Sequence, residues 1–280
     1  MMTTKRLLVT TFLLAGLSFI YGQEKLEYFP GELNIQPFTA NIIEPRIGCS
    51  DFLTQKNVRL DIGTSMDILH YKKSSNETFS FGADFFTSTR LQTEENFRFP
   101  VETIDYLFGV NGGYKKIEDN REYGLRARIS HISAHLVDGE HDNDANIWKN
   151  GLSPMVYSRE FVELFPYYRL CGLRVYAGLT YIFHSIPKNV GKGLYQVGFD
   201  YFADSFICKD VTPFAAYDFK VSKDDKAYLG NNSVMAGIKF GKYNSRGISV
   251  YASYISGRSI HGEYFYRQEH YSSIGFNLDL

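Results

Sequence analysis

The feature that most constrains this chain is a two-residue alternation of apolar and polar side chains, repeated in segment after segment. Over 58–68, Val58, Leu60, Ile62, Met66 and Ile68 take one parity, and Arg59, Asp61, Gly63, Ser65 and Asp67 take the other. Successive side chains of a strand point to opposite faces, so each such segment has one apolar and one polar face. Phe79, Phe81, Ala83 and Phe85 repeat the pattern, as do Ile104, Tyr106, Phe108 and Val110, and then Leu125, Ala127 and Ile129. Leu173, Val175, Ala177, Leu179, Tyr181 and Phe183 alternate with Arg174, Gly178, Thr180 and His184. Further runs lie near 195–201, 215–221, 234–240 and 248–254, and the last ends on Ile274, Phe276, Leu278 and Leu280.

A soluble sandwich also alternates. What separates a membrane barrel is charge in the middle of the polar face: Arg59, Asp61, Asp84, Asp105, Arg126, Arg128, Arg174 and Asp200, with Asp67, Asp218, Lys220 and Lys239. Their signs nearly balance, as expected of a self-paired polar lumen inside an apolar wall. Connections near 71–77, 117–121, 169–172, 203–209 and 242–246 are short. Those near 86–100, 132–154, 185–193, 222–232 and 256–267 are longer and more polar. Strict alternation of short and long connections fits periplasmic turns and outer loops. If the final strand descends to the periplasm, an ascending strand must precede 58–70, and 42–52 supplies it. The expected fold is all-β: a closed antiparallel transmembrane β-barrel of about 12 strands.

The N-terminus reads as a processing segment. Lys5 and Arg6 precede an apolar run at 7–20, with Ser18 and Gly22 suited to cleavage before Gln23. The expected organisation is a signal peptide at 1–22, a periplasmic lead-in at 23–41 and the barrel at 42–280. Removing two cations changes the formal charge from −1 to −3, which excludes an extended basic surface for nucleic acid. Three cysteines, Cys49, Cys171 and Cys208, are too few for a disulfide scaffold. The implied location is the bacterial outer membrane. The implied partners are the lipid bilayer, lipopolysaccharide and the barrel-assembly machinery during insertion. No cofactor or metal site is expected.

The densest chemistry lies at 128–142, with His131, Ser133, His135, Asp138, Glu140 and His141. His131, Ser133 and His135 share the parity of Ile129, the lipid-facing one. They belong either near the outer interface, where polarity is cheap, or inward behind a bulge near Ser130. Three readings follow. One is a hydrogen-bonded structural rim. Another is hydrolysis, with a histidine as base, Ser133 as nucleophile and Asp138 or Glu160 orienting the base. The third is metal or anion binding by His131, His135 and His141. The loop 138–146 lacks the ordered oxygens and closing Glu of an EF-hand. The leading expectation is a non-enzymatic barrel, a narrow pore or a structural surface component. A rim hydrolase acting on lipid or peptide is the alternative.

Three stretches carry a family resemblance. They are Tyr28-Phe29-Pro30-Gly31 followed by Gln36-Pro37-Phe38-Thr39-Ala40-Asn41 and Glu44-Pro45-Arg46; His131-Ile132-Ser133-Ala134-His135-Leu136-Val137-Asp138; and Tyr157-Ser158-Arg159-Glu160 with Leu173-Arg174-Val175-Tyr176-Ala177-Gly178. Together they resemble the bacterial family known as domain of unknown function 1207. The family continues its His-Leu stretch with Gly-Asp-Glu where this chain has Val-Asp-Gly-Glu. The resemblance implies an outer-membrane barrel and no known activity. Gln23 after the cleavage site resembles signals of Bacteroidetes-type bacteria.

Overall fold

The computed structural model describes residues 24–204, 210–223 and 227–280; the expected signal peptide and Cys208 lie outside the described residues. Among the described residues, twelve antiparallel strands close into a barrel. They are β1 (Ile47–Phe52), β2 (Asn57–Ser74), β3 (Glu77–Gln92) and β4 (Val101–Glu118). Then come β5 (Arg121–Leu136), β6 (Tyr157–Leu170), β7 (Leu173–Ile186) and β8 (Gly193–Phe202). The last four are β9 (Val211–Lys223), β10 (Tyr228–Phe240), β11 (Gly247–Arg258) and β12 (Gln268–Asp279). Each strand pairs with its neighbour in sequence. The short β1 closes the ring, pairing with β12 on one side and β2 on the other. Closure leaves no long row of unpaired backbone groups facing hydrocarbon.

Alternation sorts the side chains as expected. Ile62, Phe85, Ile129, Leu179 and Ile274 are each at least half exposed, and the wall they form carries no second layer. On the opposite parity, Arg59, Asp61, Asp84, Asp105, Arg126, Arg128, Arg174 and Asp200 are all buried in the interior. At the outer end the strands run further than alternation indicates. β3 continues past 86 to Gln92 and β5 past 132 to Leu136. The reason is a change of lumen chemistry: Phe86, Leu107, Ile132, Ala134, Phe161 and Ile182 all turn inward and pack together. With both faces partly apolar, the polar half of the pattern disappears while the strand does not.

The lead-in at 23–41 does not stay outside the barrel. Lys25–Tyr28 adds a short strand to the edge of β2, Lys25 opposite Lys72 and Tyr28 opposite Leu69. The chain then turns into the lumen, where Phe38, Ala40, Asn41 and Glu44 are essentially buried. The barrel's own cations draw it in. Arg174 donates to the carbonyls of Gln36 and Pro37 at 2.7 and 2.6 Å. Lys220 donates to Asn41 Oδ1 at 2.6 Å, and Arg126 grips the Glu44 carboxylate with both terminal nitrogens. Phe38 packs on Tyr176 and Phe165, with ring centroids 4.3 and 5.0 Å away. This segment plugs the barrel.

The outer mouth is covered from the other side. The loop 259–267 reaches across to β4, where Asp105 accepts from the Gly262 N–H at 2.7 Å and pairs with His261 Nδ1 at 2.6 Å. Tyr264 donates to Glu140 at 2.9 Å, joining this lid to the loop after β5. Gly262 sits so close to Tyr157 that a Cβ there would lie 2.3 Å from its ring.

Candidate functional site

The outer ends of β5, β6 and β7 carry the polar cluster. β5 keeps unbroken register with β4 and with β6, so no bulge turns His131 inward. The alternative of an inward cluster behind Ser130 is therefore corrected. His131, Ser133 and His135 keep the parity of Leu125 and Ile129 and lie on the outer wall. Register sets Glu160 opposite His131 and Ser158 opposite Ser133.

The contacts follow from that register. His131 Nδ1 lies 2.6 Å from Glu160 Oε1. With a carboxylate there, Nδ1 carries the proton and Nε2 is left bare on a neutral ring. Ser158 Oγ donates to the same carboxylate at 3.1 Å. Phe108 on β4 lies against the imidazole, with ring centroids 4.9 Å apart. Ser133 stands on the same face two residues beyond His131, and its hydroxyl has no hydrogen-bond partner among the described residues.

A second histidine arrives by a route alternation misses. The two-residue period puts His184 on the inward parity of Arg174. A bulge between Ile182 and His184 inserts one extra residue, so His184 stands opposite Glu160 and bonds its other oxygen. Bulges of this kind re-aim a side chain. Glu160 thus bridges His131 and His184.

The remaining candidates separate. His135 contacts Tyr106 edge-on at 5.8 Å, one step further out. Asp138 is exposed on the loop after β5. His141 bonds Asn143 at 2.9 Å within that loop. Among the described residues no group of three or more His, Cys, Asp or Glu is placed to hold a metal ion.

In the lumen, Arg59 pairs with Asp61 at 2.8 Å and Arg174 with Asp200 at 2.6 Å. Asp84 accepts from Ser65 at 2.6 Å and from Asn111 at 3.0 Å. Arg128 pairs at 2.5 Å with Glu163, a partner that sequence reasoning did not single out. Glu163 shares the parity of Tyr157 and Phe161, so alternation on β6 could have found it. Glu44 carries no such signal, because it belongs to an irregular segment.

The model of the family described as "Protein of unknown function (DUF1207)" matches residues 105–279. The chain belongs to that family. The DUF1207 match runs from β4 to the last strand and contains His131, Ser133, Glu160 and His184, while the plug lies before it. No curated protein matches this chain. Among solved structures, outer membrane phospholipase A from Escherichia coli is similar at 13% identity and TM-score 0.52, over 80% of each chain. The Salmonella typhi outer membrane phospholipase dimer with bound calcium is similar at 12% identity and TM-score 0.55, over 88% of this chain and 94% of that one. These likenesses establish the fold of outer-membrane β-barrels for this DUF1207 protein, a fold whose apolar wall contacts a lipid bilayer.

Proposed function

We infer that this DUF1207 protein is an acyl hydrolase of the outer membrane, with its site on the lipid-facing wall at the outer end of β5 and β6. The observation that carries this reading is the His131–Glu160 pair, set outward, with an unpartnered serine beside it. Ser133 Oγ attacks the acyl carbonyl carbon while His131 Nε2 takes the hydroxyl proton. The imidazolium returns that proton to the departing alcohol oxygen. Water then attacks the acyl-enzyme by the same route, releasing a fatty acid and restoring Ser133. Glu160 holds the Nδ1–H and stabilises the transient charge.

The position selects the substrate class. A site on the wall of a barrel meets a lipid whose ester lies near the headgroup level, not a solute in the lumen. Two similar structures are named as phospholipases; their likeness is one of fold, and the chemistry rests on residues of this chain. The alternating last strand and the apolar wall support insertion by the barrel-assembly machinery and a place beside lipopolysaccharide.

The test is release of labelled fatty acid from phospholipid vesicles by the refolded barrel. Release that Ser133→Ala abolishes, with heat-modifiable migration unchanged, supports the reading. Equal release by the variant, or none from any ester lipid offered, overturns it.

A closed structural barrel is the second reading, favoured by Phe38 and the lumen ion pairs, which occupy the path a narrow pore would need. Planar-bilayer recordings without steady conductance support it; unitary channels from the intact chain argue for the pore.

A further inference from the structure

Between plug and lid the barrel encloses a second chemistry unrelated to the wall. A cavity of about 120 Å³ has Ile42 and Ile43 of the plug and residues 259–262 of the lid among its lining. Its charged lining is one-sided. Arg159, Lys220, Lys223 and Arg258 face it, against Glu163 as the only carboxylate among the described residues. Glu163 is already committed to Arg128 at 2.5 Å, and Lys220 has Asp218 3.9 Å away, outside the cavity lining.

Arg159 is the decisive residue. It points inward from β6, the guanidinium carbon 5.5 Å from the Phe161 ring centroid. Its Nε is buried without a hydrogen-bond partner. Among the described residues the group has no ion pair. His261 lines the same cavity, its Nδ1 held by Asp105 and its Nε2 buried and unpartnered. Arg159 as a whole is half-buried, and a buried guanidinium N–H without an acceptor is costly where Arg59, Arg126, Arg128 and Arg174 each hold a carboxylate. An anionic head would give the Arg159 guanidinium the acceptor it lacks. Beside the polar Thr180, Gln196, Ser222 and Asn231, the lining has an apolar part, Phe161, Ile182, Leu194 and Phe265, which suits a ligand with a small hydrocarbon body.

We propose that the chamber between plug and lid binds a small organic carboxylate, its head on Arg159 and Lys220 and its apolar body against Phe161, Ile182 and Leu194. The chamber is independent of Ser133, which faces the opposite side of the wall.

Benzoate serves as the probe, titrated onto the full mature chain in lipid nanodiscs, with empty nanodiscs as the blank and binding read by calorimetry and saturation-transfer NMR. Saturable binding is expected. It should weaken about tenfold or more in Arg159→Gln, the loss of one charge-assisted hydrogen bond, and recover in Arg159→Lys. Ile43→Trp, which fills the chamber from the plug side, should abolish it while the barrel stays heat-modifiable. Benzyl alcohol should not compete, and inorganic phosphate should compete only weakly. Equal binding of benzyl alcohol overturns the anionic head, and equal binding of phosphate overturns the apolar body. No binding above the blank, or binding unchanged in both Arg159→Gln and Lys220→Gln, overturns the site.

Discussion

The Phe38 ring lies 4.5 Å from the guanidinium carbon of Arg174, on a plug residue and a wall residue far apart in sequence. The same guanidinium binds Asp200 and two plug carbonyls. One side chain thus ties the inserted segment to the barrel through charge, hydrogen bonds and an aromatic face.

Phe38→Ala removes that ring from a site closed by Phe165 and Tyr176. The expected loss is about 3–5 kcal/mol, as for large-to-small aromatic truncations in a packed interior. Arg174→Met costs a similar amount, about 3–5 kcal/mol, because Asp200 is left buried and unpaired. Urea unfolding in lipid vesicles measures both. The double variant should lose less than the sum, since the two residues share one contact.

At the wall, Ser133→Ala should lower kcat for lipid hydrolysis by about 10⁴-fold or more. Glu160→Gln should lower kcat by about 10²–10⁴-fold with KM little changed, because it acts through His131 and does not bind substrate. Glu160→Asp should restore part of the rate. Deletion of the imidazole in His184→Ala takes the second histidine away from Glu160. If His184 merely decorates the site, that deletion leaves turnover untouched; a fall in kcat makes it a second positioning residue.

The lid responds to pH through Glu263. Burial, with Asp105 nearby, outweighs backbone hydrogen bonds from Met155 and Leu136 and pushes its carboxyl up to about 7. A carboxyl whose folded pKa is raised favours the folded lid when protonated. That contribution is complete below the ordinary Glu value of 4.5 and is lost as pH rises toward 7. Amide exchange across 259–267 should therefore quicken between those limits. Glu263→Gln should flatten the dependence.

On the lipid face, Leu179→Arg near the middle of β7 should destabilise the barrel by about 2–4 kcal/mol, and less if moved toward either strand end. Guanidinium unfolding in bilayers reads this directly. A negligible effect at Leu179 would mean the wall does not meet hydrocarbon.

Strand number, inward charges and lipid wall were legible because alternation is a local property that each strand states for itself. The plug was not legible. Residues 34–46 have no period, and their burial depends on acceptors offered to Arg126, Arg174 and Lys220 from distant strands. His131, Ser133 and Glu160 could be named from composition, but their grouping needed the β5–β6 register. His184 was hidden because a single bulged residue reverses parity without leaving a mark in the pattern. At the outer end, inward Phe86 and Ile132 concealed strand ends by making both faces apolar.

The order of the N-terminal segments has a topological consequence. The plug lies between Lys25–Tyr28, held on the edge of β2, and β1, the strand that joins first to last. A chain so arranged cannot be corked after its seam is sealed without drawing a loop through the bore. The inserted segment must therefore be in place when β1 docks, which makes completion of the wall and filling of its interior a single event in assembly.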